Sequence, residues 1–476
     1  MTTAPASLAP QSRETARLKQ HYRMFVDGRF TEGGGEPVST INPATEERLA
    51  EVSTASAADV TTAVRAARRA YEKVWSRMPG AERAKYLFRI ARLVQERARE
   101  LAVLESLDSG MPIRQTRDVG APAAGAHFFY YAGWADKLDY AGYGADPRPL
   151  GVAGQIICSD APLQRATEKI APALACGNTV VLKPAYTTPL TALVLAEICQ
   201  QADLPPGVVN VLPGVGDLGA ALVAHDGLAT VAFTGSAEVG RQVQRALAGT
   251  GRRRILSLTG PADTVIFDDA PLEPVVDGLI TGVFAGPLAV GGWSRLLVQQ
   301  PVAEQVLAAL QVRAGALGIG DPLDDNTDVG PITSGGRLAR IRELTSSAGA
   351  EGAQCWTSPV PLPDRGFFTA PTIFSGVSPA MRIARQEVFG PVLPVLTFRT
   401  PDEAVALVNN TPYGRSAAIW TQQPSRLRWT VQQVRKAVVW TNTVPLFDPT
   451  APCGGYGESG LGREGGRAGL EAYLNG

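Results

Sequence analysis

The hexapeptide GVGDLG, Gly214 to Gly219, follows a strand-like run and precedes a helix-like one. In that context Gly-x-Gly-x-x-Gly seats a pyrophosphate on a helix N-terminus. A chain with 50 glycines also produces such a match as a plain turn, and the region about 20 positions on, VAFTGSAEVG, lacks the usual acidic ribose partner. FTGSAEVG, Phe233 to Gly240, is a second junction of this kind: Gly235 admits close backbone approach, and Ser236 can cap the next helix or touch a ligand. Lys183 in VLKPA closes what reads as a central buried strand, where an unpaired ammonium is costly. A phosphate or ribose hydroxyl would explain it, as would a protein carbonyl or carboxylate. Five cysteines, at 158, 176, 199, 355 and 453, form no Cys-x-x-Cys pair and no His cluster, which argues against zinc and for a reduced, cytoplasmic setting. The stretch FAGPLAVGGWSRLLVQ, Phe284 to Gln299, is rich in small residues and holds no cysteine and no histidine.

These residues need a scaffold. Between Gly151 and Gly260 the runs GVAGQII, NTVVLKPA, GVVNVLPG, ATVAFTG and RRILSLTG alternate with helix-like segments. Five β-branched runs with crossovers of helical length predict a mostly parallel, doubly wound α/β sheet with ligands beyond the carboxyl ends of its strands. Before it, YRMFVDGRF predicts a hairpin about Asp27-Gly28, and residues 57 to 107 predict two or three amphipathic helices broken near Pro79-Gly80. A second α/β pattern runs from about Thr264 to Trp440, and the length of 476 residues fits two lobes. Lys plus Arg and Asp plus Glu both number 45, which leaves no electrostatic footprint for nucleic acid or an anionic membrane. No stretch reaches the roughly 18 unbroken apolar residues of a membrane span. Residues 1–21 read as a flexible tail.

Seven motifs in order, among them KIAPALACGNTVVLKPA, FTGSAEVG, TDVGP, EVFGPVLPV and GGYGESGLGRE, resemble the aldehyde dehydrogenase superfamily from about Tyr22 to Tyr473. The resemblance implies a cofactor-binding lobe (22–130 and 149–256), a catalytic-type lobe (257–452), and intersubunit or bridging elements (131–148, a small hairpin, and 453–476). It implies NAD or NADP as cofactor, with Ile156, Lys183, Gly216, Phe233, Gly235, Ser236 and Gly240 as contacts and with Glu387 and Phe389 beside the nicotinamide ribose and ring. Tyr186 stands where the family often has a glutamate on the adenosine ribose. The implied reaction needs a cysteine thiolate, an amide donor for the oxyanion and a glutamate base.

Those three positions read Val290, or Gly291 if the register slips by one, Asp160 and Ser257. An ionised carboxylate accepts hydrogen bonds and cannot donate them. Losing an oxyanion donor costs on the order of 10²- to 10³-fold and losing the base about 10²- to 10⁴-fold, before the nucleophile is counted. Asp160 is expected to cap the helix beginning near Pro162, and Val290 to fill the tunnel wall. The leading expectation is a catalytically silent homologue, a structural or regulatory subunit beside an active relative or in self-association. The alternatives are an oxidoreductase that transfers hydride without a cysteine adduct and a nucleotide-binding sensor. The sequence stops after EAYLNG, where the family continues into a strand that joins a neighbouring subunit; the expectation is therefore a monomer, a different interface, or a partner that supplies the missing edge.

Overall fold

The computed structural model describes residues 10–144, 146–285 and 292–475. Its first sheet contains the five expected strands in the order Arg253–Leu258, Thr230–Gly235, Val152–Ile156, Thr179–Lys183, Val209–Val211, all mutually parallel. Four of them are buried along nearly their whole length on both faces, which is why they read as unbroken apolar runs rather than alternating ones. Their register decides the site. Ile156 is paired with Lys183 on one side and Phe233 on the other, so these three share one level at the carboxyl edge, and Thr234, paired with Ser257, stands one residue further on.

The hairpin Met24–Val26 and Arg29–Thr31 extends this sheet antiparallel to Val209–Val211. Asp27 and Gly28 both have positive φ, 53° and 76°, as a two-residue turn matched to strand twist requires. Helices Ala57–Ala70, Gly80–Glu96, Ala98–Ser109 and Ala121–Ala132 pack as a layer in which Leu87, Ile90, Leu101, Leu104 and Phe128 are fully buried. Each such side chain contributes roughly 1.5–3 kcal/mol. The second sheet runs Gln354–Thr357, Thr372–Ser375, Val392–Phe398, Arg295–Gln299, Asp263–Ile266, Ser416–Trp420, Val438–Thr441 and is parallel except at its first strand.

Ser257 and Leu258 complete a strand of the first sheet, so the chain crosses to the second sheet over 259–262, slightly beyond the expected boundary at 256. The C-terminal segment returns to the first sheet. Gly460–Leu461 pairs antiparallel with Leu256 and Ser257, Glu464 forms a buried ion pair with Lys169, and the Tyr473 carbonyl accepts from Asn178 Nδ2 at 2.8 Å.

Two other expectations are corrected. From Gln11 onward the supposed tail is anchored to the fold, although most of its side chains are exposed: Arg13–Ala16 forms a 3-10 turn capped by Ser12, Ala16 is buried, and Gln11 binds both Leu323 and Arg99. No hairpin forms among the described residues of 131–148. That stretch ends a helix, makes a 3-10 turn at Leu138–Tyr140, and contributes Arg148–Pro149 to a short antiparallel pair with Leu474–Asn475. Its pairing partner is distant in sequence, so no local turn signal marks it.

Candidate functional site

Beyond the carboxyl edge of the first sheet, Lys183 is nearly fully buried, and among the described residues its Nζ meets only the Pro184 carbonyl, at 3.3 Å, and pairs with no carboxylate. Burial pushes the ammonium down from 10.5 to about 8. The helix Gly216–Ala224 begins beside it, since a Cβ on Gly219 would lie 3.7 Å from both Ile156 Cδ1 and Lys183 Cδ. A Cβ on Gly216 would meet nothing within 4 Å, so the backbone there is open to approach. Ser236 caps the helix Ala237–Ala246, its Oγ accepting from Val239 N. Gly235 and Gly240 answer to packing: an added Cβ would meet the Phe233 ring at 2.5 Å and Leu258 Cδ2 at 2.4 Å. The fold thus brings Ile156, Lys183, Gly216, Phe233, Gly235 and Ser236 to one edge, with a buried cation and, at Gly216, an uncapped helix N-terminus suited to an anionic nucleotide.

Next to this edge a cavity of about 160 Å³ opens between the two sheets, with Asp160, Ser257, Glu387, Phe389, Arg337 and Arg415 in its wall. Val290 lies outside the described residues. Asp160 does not cap the following helix; that helix, Pro162–Ala175, has Ala161 at its cap position, in left-handed backbone (φ 47°), with no side-chain cap. The Asp160 carboxylate turns instead to Arg337: Nη1 meets Oδ1 at 2.5 Å, and Nη2 also binds Ser159 Oγ at 3.1 Å. Burial alone would raise this carboxyl, but Arg337, helped by Arg165 and Arg415, outweighs it and holds the group below its ordinary range. Asp160 is therefore an ionised acceptor. The Arg337 guanidinium lies 5.2 Å from the Phe389 ring centroid, so the flat face of Phe389 already carries a cation. No local sequence signal reveals this clamp, whose partners are 177 positions apart.

Glu387 is placed where its Oε2 is buried without a partner. Burial raises its carboxyl to about 7 against the pull of Arg415 and a backbone hydrogen bond from Gly260. Thr234 Oγ1, in the same wall, is likewise unsatisfied. Buried polar atoms almost always have a partner, and in a cavity wall a ligand or an ordered water supplies it. Ser257 offers the cavity a neutral hydroxyl. One thiol does line the cavity: Cys158, whose Sγ lies 3.8 Å from the Asp160 carbonyl. Burial and the Asp160 charge raise it more than Arg165 and Arg337 lower it, so it stays a protonated thiol, a weak nucleophile.

The pattern of the aldehyde dehydrogenase family matches residues 30–476. Human retinal dehydrogenase 2 is 39% identical over 485 aligned residues, covering 98% of this chain and 93% of that one. Betaine aldehyde dehydrogenase 2 of Rhizobium meliloti is 38% identical over 459 residues, covering 94% and 95%. The NAD+ complex of an aldehyde dehydrogenase from Bacillus cereus superposes with a TM-score of 0.92 at 35% identity, covering 98% of both chains.

Proposed function

The chain belongs to the aldehyde dehydrogenase family, and from that premise we propose that it binds NAD or NADP but does not form the family's cysteine thioester, acting as a structural or regulatory subunit. One observation carries this reading: at the position of the oxyanion donor stands a carboxylate locked in its ionised form by Arg337. A negative charge there repels a developing oxyanion, the reverse of what acyl transfer needs. Ser257 at the base position and the sequence Gly-Pro-Leu-Ala-Val-Gly over 286–291, which lacks any nucleophilic side chain, support the same reading.

Lys183, Ile156, Gly216 and Ser236 would hold the nucleotide at the sheet edge, and Glu387 and Phe389 would flank its nicotinamide half, where the bound cofactor supplies a hydride acceptor. At Tyr186, half exposed, there is no carboxylate to repel a 2′-phosphate, which supports acceptance of NADP as well as NAD. An assembly role is supported by the edge strand Val438–Thr441, which is only partly covered. A second reading, hydride transfer without an adduct, is favoured by the unsatisfied Glu387 Oε2 and Thr234 Oγ1 beside an open cavity.

Acid-quenched intact-mass measurement during incubation with benzaldehyde and NAD tests the main reading. The expected mass is that of the unmodified chain. An acyl increment mapped to Cys158 or any other cysteine would overturn it.

A further inference from the structure

The chain has seven lysines, and three of them are buried: Lys169, Lys183 and Lys436. Two are neutralised in place. Lys169 pairs with Glu464, and Lys436 Nζ lies 2.8 Å from Asp263 Oδ2. Lys183 differs, because among the described residues its Nζ has one acceptor, the Pro184 carbonyl, and no carboxylate. The undescribed residues 1–9, 145, 286–291 and 476 carry no acidic side chain either. An ammonium that is 7% exposed and unpaired is costly, and the same desolvation leaves a share of it as the free amine. With burial bringing the group to about 8, its neutral fraction at about pH 7 is on the order of 10²-fold above that of an ordinary lysine. A desolvated lysine amine is a nucleophile toward carbonyl carbon.

What lies beside the amine sets the kind of carbonyl compound. The helix Gly216–Ala224 starts without a side-chain cap. A Cβ added to Gly219 would lie 3.7 Å from Lys183 Cδ and 3.8 Å from Cε, so the lysine side chain runs alongside the first turn of that helix. At Gly216 the backbone faces open space, and the acidic residue of the turn, Asp217, is exposed. Free N–H groups of a first turn favour an anion, phosphate above all. One small molecule satisfies both features: an aldehyde that carries a phosphate.

We propose that Lys183 captures phosphorylated aldehydes as a reversible imine, with the phosphate on the N-terminus of the helix Gly216–Ala224. The Nζ lone pair adds to the aldehyde carbon, and the carbinolamine then loses its hydroxyl with a proton as one water, so no oxidant or reductant is consumed. Hydrolysis runs the same steps backwards and frees the lysine. The inference rests on the reading of this edge as an anionic-nucleotide site, and the two fail separately. Absence of NAD binding would end the nucleotide reading and leave the imine standing, whereas labelling away from Lys183 would end the imine and leave NAD binding standing.

The test is titration of the full chain with pyridoxal 5′-phosphate, read by imine absorbance, then borohydride reduction and peptide mapping. Pyridoxal, which lacks the phosphate, is the comparison. The expected result is one reduced adduct, on Lys183, with half-saturation at least about tenfold lower for the phosphate than for pyridoxal. Lys183→Arg keeps the cation but cannot form an imine, and should lose the adduct while remaining folded by thermal unfolding. Gly216→Asp places a carboxylate in open space at the helix N-terminus, and should weaken capture of the phosphate at least about tenfold with little change for pyridoxal. Preferential labelling of an exposed lysine such as Lys73, equal half-saturation by the two aldehydes, or an undiminished adduct in a folded Lys183→Arg protein would each overturn the proposal.

Discussion

Asp160→Asn is expected to destabilise the protein by about 2 kcal/mol and to yield no aldehyde oxidation, even though it restores the amide that the family carries at this position. The reason lies across the cavity. Arg337 and Asp160 are mostly enclosed, with side chains 25% and 20% exposed. Removing one partner of a buried ion pair typically costs about 3–5 kcal/mol because the other charge is left uncompensated. Partial exposure and the amide oxygen, which still accepts one hydrogen bond, reduce that figure. Arg337→Gln added to Asp160→Asn should regain most of the loss, so a double-mutant cycle read by thermal unfolding gives a coupling well above about 1 kcal/mol. Additive effects, or an Asp160→Asn protein as stable as the parent, would show that the pair does not hold the carboxylate.

Lys183→Met should move stability and nucleotide binding in opposite directions. The folded-state pKa of Lys183, about 8, lies below its ordinary 10.5, so the folded protein binds fewer protons than the unfolded chain between those values. The cost is therefore fully present below about pH 8, and stability rises as pH increases from 8 toward 10.5. A displacement of that size corresponds to roughly 3 kcal/mol. Methionine removes that burden but also the contact with the Pro184 carbonyl, so the nucleotide-free protein should gain about 2 kcal/mol at about pH 7 and lose its pH dependence above about 8. Nucleotide affinity should fall on the order of 10- to 100-fold, as for a lost hydrogen bond from a charged group. Calorimetric titration with NAD, together with thermal unfolding from about pH 7 to about pH 10.5, measures both. A variant that binds NAD as tightly as the parent would remove Lys183 from the site.

The cofactor edge is legible in the sequence because its signals are local. Each β-branched run ends in a turn residue, and the strands 152–156, 179–183, 209–211, 230–235 and 253–258 fall inside the runs that announce them. Ser236 behaves as its position after a strand and before Ala237 suggests. The cavity is legible only in part. Asp160 and Ser257 are identified by position, but the fate of the Asp160 carboxylate depends on Arg337, which sits in a helix of the other lobe and looks in sequence like a surface residue of GGRLAR. Local capping preference lost to a long-range charge pair. Arg415 carries no local signal for the same reason, since only the fold brings it near Glu387. Arg148–Pro149 pairs with Leu474–Asn475, at the far end of the chain, a contact that no periodicity encodes.

Fluorescence-monitored NAD(P)H formation by the purified chain, with saturating nucleotide and a panel of aliphatic and aromatic aldehydes, decides whether the family's chemistry is silent here. The expected result is saturable nucleotide binding with no aldehyde-dependent NAD(P)H above the protein-free background. Aldehyde-dependent NAD(P)H formation that is abolished by Cys158→Ala or Ser257→Ala would contradict it.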